Sequence, residues 1–406
     1  MARSAASLSR GSRISDYVTL GVVAKAFPAD KVMEILRQTG TQSVRERALP
    51  AHVVVYYVIA LALYMQVSCR EVLRCLLEGV DWLSKSSPRL HIAGKSGISQ
   101  ARGRLGVEPV MRLHDTVVSP VGTAKTRGAW YRKWRLVSLD GSTLDVADTQ
   151  ANAAAFGRPG ASRGSSAYPQ IRFVSLVENG THVLFGSRMD GCKTGEITLA
   201  SQVIRNLRQG MLCLADRFFF GFELWDAASS TGADLLWRVR KNVRLVPFKR
   251  FVDGSYLAKI YPSSTDRRKD TNAITVRVIE YRLVGVPGAE GIYRLVTTSL
   301  DAEQAPANEL AALYHERWEV ETALDELKTH LKGSKIVLRS KTPELVSQEF
   351  YGLMMAHFAV RGLMHEAAIA VDIDPDELSF VHAVRVIRRK LPIFLAIPPS
   401  EEKGIS

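Results

Sequence analysis

At 406 residues the chain is long for one compact core, and two or three domains are expected. Its 46% apolar and 23% charged content is ordinary for a globular protein that buries a sizeable core. Lys plus Arg is 54 against 41 for Asp plus Glu, a net +13 that favours polyanionic partners, nucleic acid first and an anionic membrane surface second. Cys69, Cys75, Cys192 and Cys213 form no CxxC pair and no zinc-finger spacing, which speaks against a cysteine zinc site or a disulfide framework and for buried thiols in a reducing cytosol.

Met1 to Arg13 are rich in Ser and Arg without an apolar core, so no signal peptide is expected. Residues 1 to about 125 read as mostly helical, with helices over Lys31–Gln38, Ala51–Gln66, Cys69–Leu77 and Val107–Val118. The apolar run His52–Val67 falls short of the ~20 residues of a membrane span and reads as a core helix. In Ser96–Leu105, Ser96 or Ser99 could cap a short helix presenting Gln100, Arg102 and Arg104, as in a helix-turn-helix reader of DNA or as a plain surface helix.

From Trp134 the pattern changes to strands flanked by helices, an α/β core. Arg135–Leu139 reads as a strand ending at Asp140, and Ala151–Ser166 as a small-residue loop. Ile171–Val177 and His182–Arg188 form a hairpin across Asn179-Gly180. Glu196–Leu207 reads as a helix, Met211–Ala215 as a buried strand ending at Asp216, Phe222–Ala228 as a helix and Leu235–Val239 as a strand. Val243–Ser299 is strand-rich and reads as a β insertion, and helices return from about Ala305 to Leu391.

Asn308–Leu331 is the most informative segment. On a helical wheel Tyr314, Arg317, Glu321, Asp325 and Lys328 fall in an arc of roughly 80° beside the apolar face, with Glu316, Glu319, Ala323 and Glu326 on the far, solvent side. Alone, this stripe could be a surface of ordinary ion pairs. Together with two strand-ending aspartates it supplies oxygen ligands suited to Mg²⁺ or Mn²⁺, two of which can clamp an in-line phosphoryl displacement. Arg317 and Lys328 would then hold phosphates.

The spacing Y-x2-R-x3-E-x6-K at Tyr314, Arg317, Glu321 and Lys328 resembles the signature of the DDE transposases of bacterial insertion sequences, in the insertion-sequence-four family. The words SLDGSTL around Asp140, KTGEITLA at Lys193–Ala200, LADRFFFG around Asp216 and SGISQARGRL resemble the same family, over roughly residues 10 to 370. The resemblance implies a ribonuclease H-like core at 126–242 and 303–372, interrupted by the β insertion at 243–302. A helical DNA-binding domain would occupy 1–125 and a helical tail 373–406. Asp140, Asp216 and Glu321 would be the catalytic ligands of two Mg²⁺ ions, with Mn²⁺ as a substitute, and Tyr314, Arg317 and Lys328 would contact phosphates. The implied reaction nicks the element's ends, cuts through a hairpin and joins 3′-hydroxyls to target DNA. It would be carried out by a homodimer on terminal inverted repeats, in the bacterial cytoplasm at the nucleoid. A nuclease that never joins, or a DNA-binding regulator with a decayed site, are the alternatives.

By the same resemblance an aromatic of the insertion would stack on a flipped base, with Tyr293 and Trp237 as candidates. The basic run at 237–250 (Arg238, Arg240, Lys241, Arg244, Lys249, Arg250) reads as a DNA-backbone track. Arg385, Arg388, Arg389 and Lys390 form a second basic cluster of open role. Asp145 and Asp148 read as loop acids, Glu196 as a first-turn helix acid, and Asp325 as a partner for Lys328 or Arg317. Gly157–Gly160 lacks the Gly-Lys-Ser/Thr of a P-loop, so no nucleotide cofactor is implied.

Overall fold

The computed structural model describes residues 21–43, 49–74, 76, 94–161, 164–165, 168–283 and 291–388. Cys75, Arg389, Lys390 and the Ser/Arg-rich start lie outside them, while Cys69, Cys192 and Cys213 are free thiols.

Twelve strands occur among the described residues: β1 (Trp130–Tyr131), β2 (Trp134–Asp145), β3 (Gly160–Ala161), β4 (Gly164–Ser165), β5 (Gln170–Glu178), β6 (Val183–Gly191), β7 (Met211–Ala215), β8 (Asp234–Arg238), β9 (Lys249–Arg250), β10 (Tyr256–Ile260), β11 (Ile274–Tyr281) and β12 (Tyr293–Thr297). All but the β3–β4 pair join one sheet, ordered β6-β5-β2-β7-β8-β12-β11-β10-β9, with β1 paired to β2. The central β2–β7–β8 pairs are parallel and the flanks antiparallel. The 243–302 segment is thus strand-rich as expected, yet it extends the core's own sheet through β12 against β8.

The parallel centre is buried on both faces and reads as apolar runs: Leu212 to Ala215 and Leu235 to Trp237 are all within 1% of full burial. Two expectations fail locally. β2 does not end at Asp140; it continues to Asp145, because β5 keeps pairing with it from Asp140 opposite Ser175 to Asp145 opposite Gln170. The small-residue stretch after it is partly a helix, Gln150–Phe156, whose cap Thr149 accepts from the Asn152 N–H. Its four alanines favour helix more than any other residue.

The helix Ala51–Leu63 is buried on every side, with His52 half-buried, and packs against the long helix Pro343–Val371. Among the described residues no helix is long and apolar enough to cross a membrane. The helix Lys95–Leu105 starts at Gly94 without a side-chain cap, so neither Ser96 nor Ser99 caps it.

The segment read as one helix from Asn308 to Leu331 is four pieces: α-helix Ala307–Leu313, a 3₁₀ stretch Tyr314–Trp318, α-helix Glu319–Asp325 and a π stretch Glu326–Leu331. Its far side is solvent only at its start, where Glu316 is exposed. Ala323 and Glu326 are buried there, because the β5–β6 turn and the Pro343–Val371 helix close over it.

Candidate active site

β2 and β7 run parallel with Leu139 beside Ala215, so Asp140 and Asp216 occupy adjacent positions at the same level of the sheet. Side chains alternate along β2, which puts Asp140 and Ser142 on one face. The broken helix delivers its stripe to that face. Arg317 reaches Asp140 Oδ2 at 3.4 Å and Glu321 Oε1 at 3.3 Å, and Lys328 Nζ donates to Ser142 Oγ at 2.8 Å. Arg317 and Lys328 therefore meet the Asp140 strand, and Glu321 is linked to it through Arg317, in spite of the irregular turns.

Burial, reinforced by Glu196 and Glu321, pushes the Asp140 carboxyl up to about 6, against the opposing effect of the Gly141 N–H and Arg317. Arg317 is raised despite its own burial, by Tyr314, Asp140, Asp216 and Glu321 around it. The site is thus a cluster of acids around one guanidinium. Glu196 reaches Asp140 through its charge from the other face of β2, where a Cβ at Gly141 would lie 3.3 Å from the Glu196 carboxyl carbon. The sequence reading treated Glu196 as a helix-start acid, and it is one, in the first turn of Glu196–Val203 beside Arg172. The helix aims that turn at β2, which no local pattern reveals.

The triad is not closed to metal-ligand spacing. Among the described residues, the one group of three ligand-bearing side chains within 4.8 Å of one another is His182, Glu319 and Asp376. Arg317 bridges Asp140 and Glu321 instead.

Several expected DNA contacts are corrected. Tyr314 is 6% exposed, packs with Leu212, Leu214 and Leu310, and donates to the Ala215 carbonyl at 3.3 Å, so it supports the site from beneath. Trp237 is fully buried against Trp225 and cannot stack on a base. Tyr293 already stacks on Tyr281, with the Arg238 guanidinium over its ring. Arg102 is buried and donates to Gln348, Ser340 and the Leu345 carbonyl, which makes it a helix-packing group. Arg104 remains exposed. Asp325 pairs with His330, and not with Lys328 or Arg317. Arg388 donates to the Leu63 and Leu331 carbonyls, which settles its role as packing, while Arg385 is exposed.

Other expectations stand as surface features. Arg240, Lys241 and Arg244 are exposed in the connection that follows β8, and Lys249 and Arg250 in the edge strand β9. Among the described residues, four aromatics not singled out by the sequence are exposed: Trp318, 60% exposed beside Arg317, Phe248 in the basic run, Phe218 two residues after Asp216, and Tyr168. Trp318 interrupts an otherwise charged helix start, which is the signal that marks it.

Residues 17–115 match the family described as insertion element 4 transposase N-terminal, and residues 132–359 match the transposase DDE domain. The chain is 29% identical over 366 residues to the transposase InsG for insertion sequence element IS4 of Escherichia coli K12, covering 89% of this chain and 80% of that one. It is 21% identical over 215 residues to the putative transposase InsZ of the same organism, covering 53% and 69%. A cryo-EM structure of the piggyBac transposase synaptic complex with hairpin DNA overlays weakly, with a TM-score of 0.47 and 13% identity over 94% of this chain and 82% of the other. With both halves matched and the Arg317, Glu321 and Lys328 stripe facing Asp140, the chain belongs to the insertion-sequence-four family of DDE transposases and is a DNA-cutting and strand-transferring enzyme.

Proposed function

We propose that the protein nicks the ends of its own insertion element, opens the second strand through a hairpin and joins the 3′-hydroxyl ends to target DNA. Asp140, Asp216 and Glu321 serve as metal ligands on a ribonuclease H-like core. The observation that carries this reading is the meeting of Arg317, Glu321 and Lys328 with Asp140 and Ser142 beside Asp216.

The acid cluster fits a divalent cation: Asp140 is held up to about 6 because burial and neighbouring acids outweigh the nearby guanidinium. Two bound Mg²⁺ ions, or Mn²⁺ in their place, would polarise the scissile phosphate and activate the attacking hydroxyl. Arg317 and Lys328, now paired with Asp140, Glu321 and Ser142, would exchange those partners for phosphate oxygens at the transferred end. Tyr314 would hold the Arg317 turn against β7. Arg240, Lys241, Arg244, Lys249 and Arg250 would track the DNA backbone. Trp318 is the aromatic we favour for stacking on an unpaired base, being exposed and next to Arg317.

The division into a DNA-binding region at 1–125, a core at 126–242 and 303–372, an insertion at 243–302 and a tail at 373–406 belongs to this proposal. So do Arg104 as a DNA contact, action as a homodimer that holds two ends, and a place at the bacterial nucleoid.

The test is incubation of the purified protein with Mg²⁺ and a labelled duplex carrying the element's terminal repeat. A nick at the end followed by a hairpin is expected, and a precut end should be joined to target DNA. Alanine at Asp140, Asp216 or Glu321 should remove cleavage by at least 1,000-fold, on the order seen when a principal catalytic group is lost, while end binding in a gel shift persists. Cleavage retained in one variant would remove that residue from the ligand set. Cleavage without joining would leave a nuclease.

A further inference from the structure

A second set of ligand atoms lies on the opposite face of the catalytic helix. Glu319 precedes Glu321 by two residues, a rotation of about 200° that turns it from the triad. There it meets His182, from the turn between β5 and β6, and Asp376, from the 3₁₀ turn Pro375–Glu377. His182 Nε2 lies 3.4 Å from Asp376 Oδ1 and 3.9 Å from Glu319 Oε2, and one ligand atom from each residue falls within 4.8 Å of the other two.

The imidazole supplies an independent sign. Its side chain is 4% exposed, and Nε2 has no hydrogen-bond partner. Leaving a buried polar atom unpaired costs about 1–3 kcal/mol. His182 also adopts φ of 56°, a left-handed conformation unusual for a residue other than glycine. That strain and that orphaned nitrogen are both explained if the ring is held for a ligand.

The charges and spacing agree. Arg361 pairs with the buried Glu326 and stands 4.0 Å from Asp376, His357 lies beside Glu326, and Glu319 accepts from the Gly180 N–H, so three carboxylates share one guanidinium's charge. With both imidazoles neutral the group is two charges negative, which a dication offsets. A four-coordinate ion with bonds of about 2.0–2.2 Å spaces its ligand atoms roughly 3.3–3.6 Å apart, so the observed 3.4 and 3.9 Å need only a small closure. His182 Nδ1 lies between Arg361 Nη2, which can only donate, and Glu326 Oε1 at 3.4 Å; for Nε2 to offer its lone pair to an ion, Nδ1 must carry the proton and donate it to Glu326, with the guanidinium turning wholly to the Glu326 and Asp376 carboxylates.

We propose that His182, Glu319 and Asp376 form a structural transition-metal site. An imidazole with two carboxylates suits Zn²⁺ and its neighbours, whereas Mg²⁺ selects all-oxygen sets. Asp376 is half-exposed and gives the ion an entry path and a water position. The site clips together the β5–β6 turn, the start of the helix bearing Glu321 and the turn after Pro343–Val371, three elements distant in sequence.

The test uses full-length protein carrying Asp140→Asn, Asp216→Asn and Glu321→Gln, so that the catalytic set cannot contribute and its correctness is not at issue. After chelation, one equivalent of Zn²⁺ should survive gel filtration and raise the melting midpoint by several degrees. Co²⁺ should give the visible bands of a four-coordinate site, and Mg²⁺ should do neither. His182→Gln and Asp376→Asn should each weaken Zn²⁺ by about 10–100-fold. Asp376, on a surface turn, keeps the test usable if the His182 variant does not fold. No retained Zn²⁺, or Zn²⁺ retained equally by both variants, overturns the proposal.

Discussion

Asp140 is 24% exposed, and burial first, then Glu196 and Glu321, lifts it from 3.8 to about 6. A group raised on folding stabilises the fold below its unfolded value, and that contribution is lost as pH rises through its folded value. At neutral pH the metal-free protein therefore bears a penalty on the order of 2 kcal/mol from this one carboxylate. Asp140→Asn should melt higher than wild type without metal at about pH 7.5, and the gap should close as pH falls toward about 4. Equal midpoints throughout would mean that the carboxylate is not strained. The arginine pair Arg102 and Arg104 offers a second contrast. Arg102→Met strands Gln348 and Ser340 and should cost about 2–3 kcal/mol with little specific effect on DNA. Arg104→Ala should leave the melt within about 0.5 kcal/mol and weaken DNA binding. Melting curves and gel shifts on the same two preparations check both.

At the scale of elements, the broken helix bearing Glu321 tells how far sequence patterns reach. The stripe Arg317, Glu321 and Lys328 was legible because spacing alone places it, and the strands carrying Asp140 and Asp216 were legible as apolar runs. The 3₁₀ and π turns were not, since a wheel assumes 100° per residue throughout. Nor was the fate of Glu326, which looks like a solvent acid until Arg361 and His357 from a distant helix and His182 from a turn surround it. Tyr314 and Trp237 were misjudged for a related reason: an aromatic in a motif or a basic run carries no mark of whether its ring faces the core. Burial would raise Glu326, but hydrogen bonds from His182 and His357 and the Arg361 charge hold it below its ordinary 4.5. A depressed carboxylate contributes stability above its unfolded value and loses it as pH falls toward the folded one. Arg361→Met should thus cost about 3–5 kcal/mol at neutral pH, with the difference from wild type narrowing below about pH 4. A neutral-pH difference under about 1 kcal/mol, the range of a surface pair, would show that Glu326 is not held by this arginine.

At the scale of the molecule, the N-terminal helices and the sheet share one continuous core. Val58 and Ile59 of the Ala51–Leu63 helix pack in the same cluster as Phe350, Met354 and the β5 residues Phe173 and Leu176. The approach is close because residue 352 is glycine: a Cβ there would sit 2.6 Å from the Val58 carbonyl oxygen and 2.9 Å from its Cγ1. Backbone cannot give way as a flexible side chain would, so the two helices must part. Gly352→Ala should then cost about 1–3 kcal/mol, even though alanine favours a helix more than glycine does. The same contact bears on whether residues 1–125 form a separable DNA-binding region. Removing them bares the face of Pro343–Val371 on which Tyr351, Gly352 and Phe358 meet His114, Val58 and Phe27. A fragment of residues 126–388 should accordingly aggregate, or melt well below the full chain, and Gly352→Ala should no longer destabilise what remains, because its opponent Val58 is gone and only alanine's helix preference is left. A soluble fragment with an unchanged melting midpoint would instead mean that the two regions fold independently, and that the Val58–Gly352 contact joins them without contributing to the stability of either.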